Sequence, residues 1–320
     1  MCGIVGAVAE RNVVPILMEG LRRLEYRGYD SAGIAILVDD GIARVRRVGK
    51  VQELANALEE TPVHGGTGIS HTRWATHGVP NESNAHPHLS SDSIAIVHNG
   101  IIENYQELRD DLKEKGYTFT SDTDTEIVAH RIHHNAKSAE DFAGAVRMTV
   151  AELEGAYALA VMSVDHPEQI VIARAGAPAV VGIGIDENFV ASDVAALLPV
   201  TRNFMFLEEG DVALVERKKV TVWNEKGEIA ERDVRESTLN ADSAERGEFR
   251  HFMLKEIYEQ PDAVARTLDG RIADNRVLAA SFGPHANDAL DKTRGIHIVA
   301  CGTSYHAGLV ARYWIESLCK

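Results

Sequence analysis

The chain begins Met1-Cys2-Gly3-Ile4-Val5-Gly6, which raises the question of why a cysteine directly follows the initiator methionine. The apolar pattern predicts a strand over residues 2–8. A small second residue favours removal of Met1, which would leave a thiol and a free α-amine on Cys2. An α-amine titrates near pH ~8, so it can take the thiol proton and later return it to a leaving amine. The alternative is a buried structural cysteine in a first strand.

Length and composition exclude several classes of protein. The chain has 320 residues, which suits two domains, and its net charge is −15, with 48 acidic against 33 basic residues. This balance argues against a nucleic-acid partner and against docking on anionic membranes. No apolar run is long enough to span a bilayer, and the first residues lack the features of a signal peptide. Three cysteines are too few for a disulfide framework, so we expect a reduced, cytoplasmic protein.

The apolar periodicity predicts an alternation of strands and helices. Strands are expected at residues 2–8, 32–38, 43–48, 68–72, 93–98, 157–164, 170–173, 179–182, 189–191, 211–215 and 220–222. Helices are expected at residues 13–24, 51–59, 105–115, 125–133 and 141–153. This order fits sheets covered by helices, and the strand-rich second half favours antiparallel pairing.

The composition changes after about residue 224, where a polar stretch predicts a linker. A helix is expected at 252–268, a buried strand at 296–300 and a second helix at 305–318. A strand, a small polar loop and a helix are how a parallel doubly wound domain begins, and its helix N-terminus is a natural anion site. One strand and one helix cannot close a core, so we expect this second domain to be truncated. The predicted organisation is therefore a domain at 1–224, a linker at 225–250, and a linker helix with the start of a second domain at 251–320.

Two further stretches carry residues suited to amide chemistry. Residues 71–78 read HTRWATHG, and the guanidinium of Arg73 offers a planar fork for a carboxylate; the alternative is a surface arginine beside a packed tryptophan. Residues 97–100 read VHNG, in which the Asn99 amide and the Gly100 N–H could form an oxyanion hole. The alternative is again structural, because Asn-Gly is the commonest pair in hairpin turns.

A third stretch, residues 121–126, reads SDTDTE before a predicted helix. One of its aspartates could hold a substrate ammonium. Thr123 and Glu126 also predict a capping box at the helix start, and the two interpretations are compatible. His86 and His88 flank a proline, but this ligand set lacks the paired cysteines and the histidine spacing of a structural zinc site. We therefore expect no metal and no cofactor.

Taken together and in this order, CGIVG, LRRLEYRGYDSAG, HTRWATHG, NAHPH, HNGIIEN and SDTDTE resemble the glutaminase domain of the glutamine–fructose-6-phosphate aminotransferase family. EIYEQP and CGTSYHAG are similar to that family's linker and to the start of its sugar-isomerase domain. The resemblance implies an α+β protein with a four-layer αββα N-terminal-nucleophile glutaminase fold. The beginning of a doubly wound α/β sugar-isomerase domain would follow it.

The resemblance also implies roles for individual residues. Cys2 would attack the side-chain amide of L-glutamine with its own amine as base, and water would then release glutamate from a thioester. Asn99 and Gly100 would stabilise the oxyanion, while Arg73 and Asp124 would hold the α-carboxylate and the α-ammonium of the substrate. The further implied residues are the pocket residues Thr76, His77 and Gly78, the supporting residues Arg27, Trp74 and His86, and the sugar-phosphate loop Cys301, Gly302, Thr303 and Ser304. Trp74 is implied as a gate on an internal ammonia path.

The family's complete enzyme implies partners beyond glutamine. There the ammonia converts D-fructose 6-phosphate to D-glucosamine 6-phosphate in the second domain, through which the enzyme forms a homodimer. Because this chain carries only the first sugar-phosphate loop, we expect it to hydrolyse glutamine without making the amino sugar.

Two alternatives remain open at this point. One is another amidotransferase of the amidophosphoribosyltransferase or asparagine synthetase type, against which the sequence CGTS before a helix counts. The other is a catalytically silent regulator that binds sugar phosphates. The presence of Cys2, Arg73, Asn99 and Asp124 counts against the silent regulator.

Overall fold

The computed structural model describes residues 2–75, 78–237, 249–268, 271–273, 276–278 and 286–319. The chain divides into two compact units, Met1–Gly247 and Glu248–Lys320. The strands of the first unit are β1 (Gly3–Val8), β2 (Ser31–Val38), β3 (Gly41–Val48), β4 (Thr67–Arg73), β5 (His88–Ser90), β6 (Ile94–Ile102), β7 (Gly155–Ser163), β8 (His166–Ala175), β9 (Val180–Ile183), β10 (Asn188–Ala191), β11 (Asn203–Phe206), β12 (Val212–Glu216), β13 (Val220–Trp223) and β14 (Val234–Glu236). Its helices are α1 (Val14–Leu24), α2 (Val51–Glu60), α3 (Tyr105–Glu114), α4 (Asp124–Ala136) and α5 (Phe142–Val150).

These strands form two sheets in which neighbouring strands run antiparallel, a pairing that the sequence predicted for the strand-rich second half. The larger sheet has the order β14-β11-β9-β10-β1-β4-β2-β3, so β1 lies in its interior between β10 and β4. The smaller sheet has the order β13-β12-β8-β7-β6-β5. β6 is flanked by β5 and β7 and is therefore the second strand from one edge.

Alternate residues of β1 show how the sheets are layered. Val5 and Ala7 belong to an apolar cluster with α1 and α2, on one face of the larger sheet. Ile4 and Val8 point to the other face and share a second cluster with strands of the smaller sheet. A third cluster packs α3, α4 and α5 on the far face of the smaller sheet. The resulting order, helices, sheet, sheet and helices, confirms the predicted four-layer αββα fold.

Gly3 explains part of the opening sequence. A Cβ at this position would lie 2.7 Å from Leu24 Cβ and 2.7 Å from Thr72 Oγ1, much closer than carbon atoms pack at their optimal separation. Glycine therefore allows the start of β1 to approach both the end of α1 and the end of β4. This close packing fixes the backbone directly after Cys2.

In the first unit, three short strands, β5, β11 and β14, were not predicted. β14 lies within the segment 225–250 that was expected to be a linker, and it pairs with β11 at the edge of the larger sheet. Its three residues are exposed, so they carry no apolar pattern from which a strand could be read. The first unit therefore includes ordered sheet beyond residue 224.

The second unit contains α6 (Phe252–Leu268), β15 (Ile272–Ala273), β16 (Arg276–Val277), α7 (Ala286–Lys292) and α8 (Gly302–Leu318). The buried strand predicted at 296–300 is not formed: Ile296 is 60% exposed and Val299 is 96% exposed. A strand needs hydrogen-bonded neighbours, and the only ladder in the described part of this unit joins β15 to β16. The doubly wound domain thus stays a prediction, of which this unit holds the helix α8. None of the helices in the described ranges is long and apolar enough to cross a membrane.

Candidate active site

Cys2 lies where the ends of the two sheets meet. It directly precedes β1, and its Sγ accepts a hydrogen bond from the backbone N–H of Trp74 at 3.2 Å, just beyond the end of β4. From the smaller sheet, Asn99 Nδ2 donates to the carbonyl oxygen of Cys2 at 3.1 Å. Strands β1, β4 and β6 therefore bring together residues that are about 70 to 100 positions apart in sequence.

The surroundings of Cys2 do not favour a thiolate. Burial raises the pKa of the thiol, and the N–H of Trp74 on the sulfur opposes this shift. The carboxylate of Asp30 raises the pKa further, whereas the guanidinium of Arg73 lowers it. Because the net shift is upward from 9.0, the thiol is protonated at neutral pH. A nucleophilic sulfur at this position needs a base to take its proton.

Asp30 was not predicted as a site residue, although it lies in the quoted LRRLEYRGYDSAG stretch. Its Oδ2 accepts a short hydrogen bond from the N–H of Ala75, and its Oδ1 accepts one from Ser31 Oγ at 2.8 Å. Its own N–H donates to the carbonyl of Arg73 at 3.1 Å. Asp30 therefore holds the chain that leaves β4 beside the cysteine.

Asn99 and Gly100 lie inside β6, so the hairpin-turn alternative is wrong. Gly100 has a φ of +131°, a conformation that residues with a side chain rarely adopt. A Cβ here would also lie 1.9 Å from the carbonyl oxygen of Ala156 on β7. Only glycine fits, and its backbone is held next to the Asn99 amide that contacts Cys2.

Arg73 is the last residue of β4 and is 3% exposed, so the alternative of a surface arginine is wrong. Its Nη2 donates to the carbonyl of Gly78 at 3.2 Å, which brings the predicted pocket glycine to the arginine. Trp74 is half-exposed, and its ring meets that of Tyr29 edge-on at 5.3 Å. A buried guanidinium near Cys2 can bind a substrate carboxylate.

Asn84 joins the loop that follows β4 to the SDTDTE segment, a link that the sequence did not reveal. The side chain is fully buried, and its Nδ2 donates to the carbonyl of Val79 at 3.1 Å. Its Oδ1 accepts from the N–H of Asp122 at 2.9 Å. The NAHPH stretch contains Asn84, but an asparagine in a loop gives no sign in the sequence of which segments it will bridge.

Asp124 is buried at the first position of α4. Its Oδ2 accepts from the N–H of Ile102 at 2.9 Å, and its Oδ1 lies 3.9 Å from Nδ1 of His98. The Thr125 hydroxyl donates to Asp124 Oδ1 at 3.4 Å. The carboxylate is therefore fixed against the end of β6, the strand that also carries Asn99.

The predicted capping box forms only in part. Thr123 Oγ1 accepts from the N–H of Glu126 at 3.4 Å, as expected for an N-cap. The carboxylate of Glu126, however, accepts from the N–H groups of Thr120 and Ser121 at 2.9 and 2.7 Å. It therefore orders the loop before the helix, in addition to the cap that Thr123 supplies.

Four histidines, His71, His86, His88 and His98, are buried between β4, β5 and β6. The rings of His71 and His86 stack with centroids 4.2 Å apart, and His86 Nδ1 accepts from the N–H of His98 at 3.2 Å. Burial lowers the pKa of His86 and of His88 well below the ordinary value, so both are neutral near pH 7. Among the described residues, no group of three or more histidine, cysteine, aspartate or glutamate side chains could hold a metal ion.

Several predicted residues fall outside this arrangement. Thr76, His77 and the side chain of Arg27 lie outside the described residues, so their roles stay predictions. The predicted sugar-phosphate loop belongs to the second unit, where Cys301 precedes α8 and Gly302, Thr303 and Ser304 form its first turn. These four residues are exposed, and their role also stays a prediction.

Comparisons with known proteins match part of the first unit in one case and nearly the whole chain in others. A model of the glutamine amidotransferase domain matches residues 71–199. The chain is 59% identical over 316 residues to a glutamine–fructose-6-phosphate aminotransferase (isomerizing) of Shewanella oneidensis, covering 99% of this chain and 52% of the relative. Proteins of the same name from Idiomarina loihiensis and Pseudomonas aeruginosa are each 57% identical over 319 residues, again covering 99% of this chain and 52% of the relative. The chain thus spans about half the length of the curated relatives it matches.

Solved structures share the fold. A glutamine phosphoribosylpyrophosphate amidotransferase from B. subtilis aligns with a TM-score of 0.62 and 24% identity, covering 71% of this chain and 50% of that one. A second structure, the allosteric regulatory enzyme of purine biosynthesis, aligns with a TM-score of 0.59 and 25% identity. The alignment covers 75% of this chain and 50% of that one. These alignments support the assignment of the αββα layers to the glutaminase fold.

Proposed function

We propose that the chain belongs to the glutamine–fructose-6-phosphate aminotransferase family, whose members are 54–59% identical to it, and that it hydrolyses L-glutamine to glutamate and ammonia at Cys2. The observation that carries the proposal is the convergence on one cysteine of an amide donor, Asn99, and a buried cation, Arg73, from two sheets. An amidotransferase of another type shares the fold, but its solved representative is only 24% identical. The identity of 54–59% to the family's members favours the first assignment.

The proposed reaction begins with the removal of Met1, which frees the α-amine of Cys2. The raised pKa of the thiol keeps its proton on sulfur at neutral pH, and the amine, with an ordinary pKa near ~8, is the nearest covalently held base. As the sulfur attacks the amide carbon of glutamine, the thiol proton passes to the amine. The amine then donates that proton to the leaving nitrogen, the C–N bond breaks, and ammonia departs.

Water completes the cycle. It attacks the thioester carbon, the C–S bond breaks, and glutamate leaves while the sulfur recovers a proton. In both steps a negative charge develops on the former amide oxygen. We assign its stabilisation to Asn99 Nδ2 and the N–H of Gly100, because preorganised donors of this kind stabilise the transition state more than the ground state.

Substrate recognition is assigned to two buried, opposite charges. Arg73 would bind the α-carboxylate of glutamine, since its planar fork can make paired hydrogen bonds. Asp124 would bind the α-ammonium. Its Oδ2 already accepts one N–H, and a carboxylate has further lone pairs to accept a cation. Thr76, His77 and Gly78 are proposed to complete the pocket, with Arg27, Trp74 and His86 as supporting residues.

The activity of the whole protein is a further proposal. In the full-length enzyme, the released ammonia would convert D-fructose 6-phosphate to D-glucosamine 6-phosphate in a sugar-isomerase domain, with Cys301 to Ser304 forming its first phosphate-binding loop. That enzyme is proposed to be a cytoplasmic homodimer. The 320-residue chain is proposed to retain only the glutaminase half-reaction.

The proposal is tested by measuring glutamate release from L-glutamine by the purified chain. Cys2→Ala should abolish release, whereas Cys319→Ala, which removes an exposed cysteine of the second unit, should leave it unchanged. Addition of fructose 6-phosphate should yield no glucosamine 6-phosphate. Release that persists in Cys2→Ala would contradict the assignment of the nucleophile, and the absence of release from the wild-type chain would support the silent sugar-phosphate binder instead.

A further inference from the structure

His71 contacts the proposed oxyanion donor but has no role in the reaction described above. Its ring is 1% exposed, on β4, and its Nε2 lies between two oxygen atoms of β6. These are the carbonyl oxygen of His98 at 2.9 Å and Oδ1 of Asn99 at 3.0 Å. The contact links the larger sheet to the strand that carries the donor.

The hydrogen-bond partners identify which ring nitrogen carries the proton. The carbonyl oxygen of His98 can only accept, so Nε2 of His71 must be protonated. The other nitrogen, Nδ1, is buried and has no hydrogen-bond partner within the described residues. Burial lowers the pKa of His71 to about 3, so the ring is neutral throughout the range in which a protein of this kind works. His71 therefore presents one fixed donor to β6.

The same reasoning determines the orientation of the Asn99 amide. One end faces the N–H of His71 and must be the oxygen; the other faces the carbonyl oxygen of Cys2 at 3.1 Å and must be the NH2 group. Both contacts require the same orientation of the Asn99 amide. A rotation by 180° would place two donors against each other at His71 and two acceptors against each other at Cys2. An unmade hydrogen bond of a buried group is costly, so this rotation is disfavoured.

We propose that His71 is a positioning residue that holds the Asn99 amide with Nδ2 toward Cys2. This inference rests on the proposed function, because orientation matters only if Nδ2 stabilises an oxyanion. The NH2 group uses one hydrogen on the Cys2 carbonyl and keeps a second for the substrate. An amide rotated the other way would direct Oδ1 at the developing negative charge and would repel it. His71 thus acts through Asn99 without touching the substrate.

Three variants separate this role from general packing. His71→Leu removes the donor, while His71→Gln keeps a terminal NH2 group at the reach of Nε2. His130→Leu is the matched control, since His130 is also buried, at 6% exposure. Its ring contacts Ser90, the last residue of β5, and the carbonyl oxygen of Thr118, in the loop before α4. We expect His71→Leu to lower kcat for glutamate release by about 10- to 100-fold with KM unchanged, approaching the loss of a whole oxyanion donor. His71→Gln should recover part of the rate, and His130→Leu should leave kcat unaltered.

A double-mutant cycle tests whether His71 acts through Asn99. In an Asn99→Ala background, His71→Leu should cause no further loss of kcat, because the amide that it orients is gone. An equal loss of kcat in both backgrounds would overturn the proposal. So would an unchanged kcat in His71→Leu alone, or an equal loss in His130→Leu.

A measurement on the wild-type chain, independent of activity, tests the proposal even if the variants do not fold. In the wild-type chain labelled with 15N-histidine, NMR should show His71 as a neutral ring protonated at Nε2 from pH 5 to 8. A ring protonated at Nδ1, or one that titrates within that range, would overturn the proposal. If the wild-type chain releases no glutamate, the proposed function fails, whereas the NMR result still decides whether His71 carries the Nε2 proton that faces Asn99.

Discussion

Gly100 offers a sharp test of the site because the chain contains a matched control for its backbone conformation. Gly100 has φ +131° and Gly41, at the start of β3, has φ +130°. A Cβ on Gly100 would lie 1.9 Å from the carbonyl oxygen of Ala156, whereas a Cβ on Gly41 would meet no atom within 4 Å. Gly100→Ala and Gly41→Ala therefore share the strain of an unfavourable φ and differ in the clash.

The magnitudes follow from this comparison. Each substitution places a side chain in a sparsely populated conformation, which costs about 1–3 kcal/mol of the free energy of unfolding. Gly100→Ala must also move β6 and β7 apart by more than 1 Å, since ordinary contacts begin at 3.4 Å. Overpacking of this kind costs typically about 1–3 kcal/mol more. A displacement of about 1 Å at a catalytic donor can lower kcat by about 10²-fold.

The assay combines urea unfolding with steady-state glutamate release. We expect Gly100→Ala to be less stable than Gly41→Ala by about 1–3 kcal/mol and to lose about 10²-fold in kcat, while Gly41→Ala keeps the wild-type kcat. Equal unfolding free energies for the two variants would refute the clash. A wild-type kcat in a folded Gly100→Ala variant would refute the assignment of the Gly100 backbone to the oxyanion hole.

Asn99→Ala removes one oxyanion donor, so kcat for glutamate release should fall by about 10²–10³-fold while KM changes little; an unchanged kcat would exclude Asn99 as a donor. Arg73→Lys keeps the charge but loses the planar fork, so KM for glutamine should rise by roughly tenfold or more, and an unaltered KM would place the α-carboxylate elsewhere. Asp30→Asn removes a negative charge that disfavours the thiolate, so the pKa of Cys2, read from the pH dependence of its alkylation by iodoacetamide, should fall; a higher pKa would contradict the sign of that interaction. Because the neutral amine of the mature Cys2 is the proposed base, kcat/KM should rise with pH through the range near ~8, and a profile that falls there would contradict this mechanism.

The sequence predicted the layers of the fold well because several central strands, among them β1, β4 and β10, are buried on both faces. β2, for example, reads SAGIAILV, and only its last residue is not fully buried. Such apolar runs are visible without a structure. β14 could not be predicted because an exposed edge strand of three residues depends on the strand beside it, β11. The strand expected at 296–300 shows the opposite error: its residues are apolar, but the described part of the second unit supplies no strand to pair with them.

The candidate site also combines residues that the sequence predicted with a contact that it did not reveal. Cys2, Arg73, Asn99 and Gly100 lie in quoted motifs, and the structure brings Cys2, Arg73 and Asn99 into one place. His71 lies in one of those motifs too, but no sequence pattern shows that a histidine on β4 will donate to an asparagine on β6. That relation arises from the approach of the two sheets.

The central claim is that Cys2 attacks glutamine with its own amine as base, and mass spectrometry tests both parts at once. The purified, active chain is treated with a glutamine analogue that carries an electrophilic ketone in place of the side-chain amide, with and without excess L-glutamine. We expect the mature chain to lack Met1 and to take up one equivalent of label on Cys2, and we expect glutamine to prevent the labelling. An active chain that retains Met1, or a label carried by Cys301 or Cys319, would contradict it.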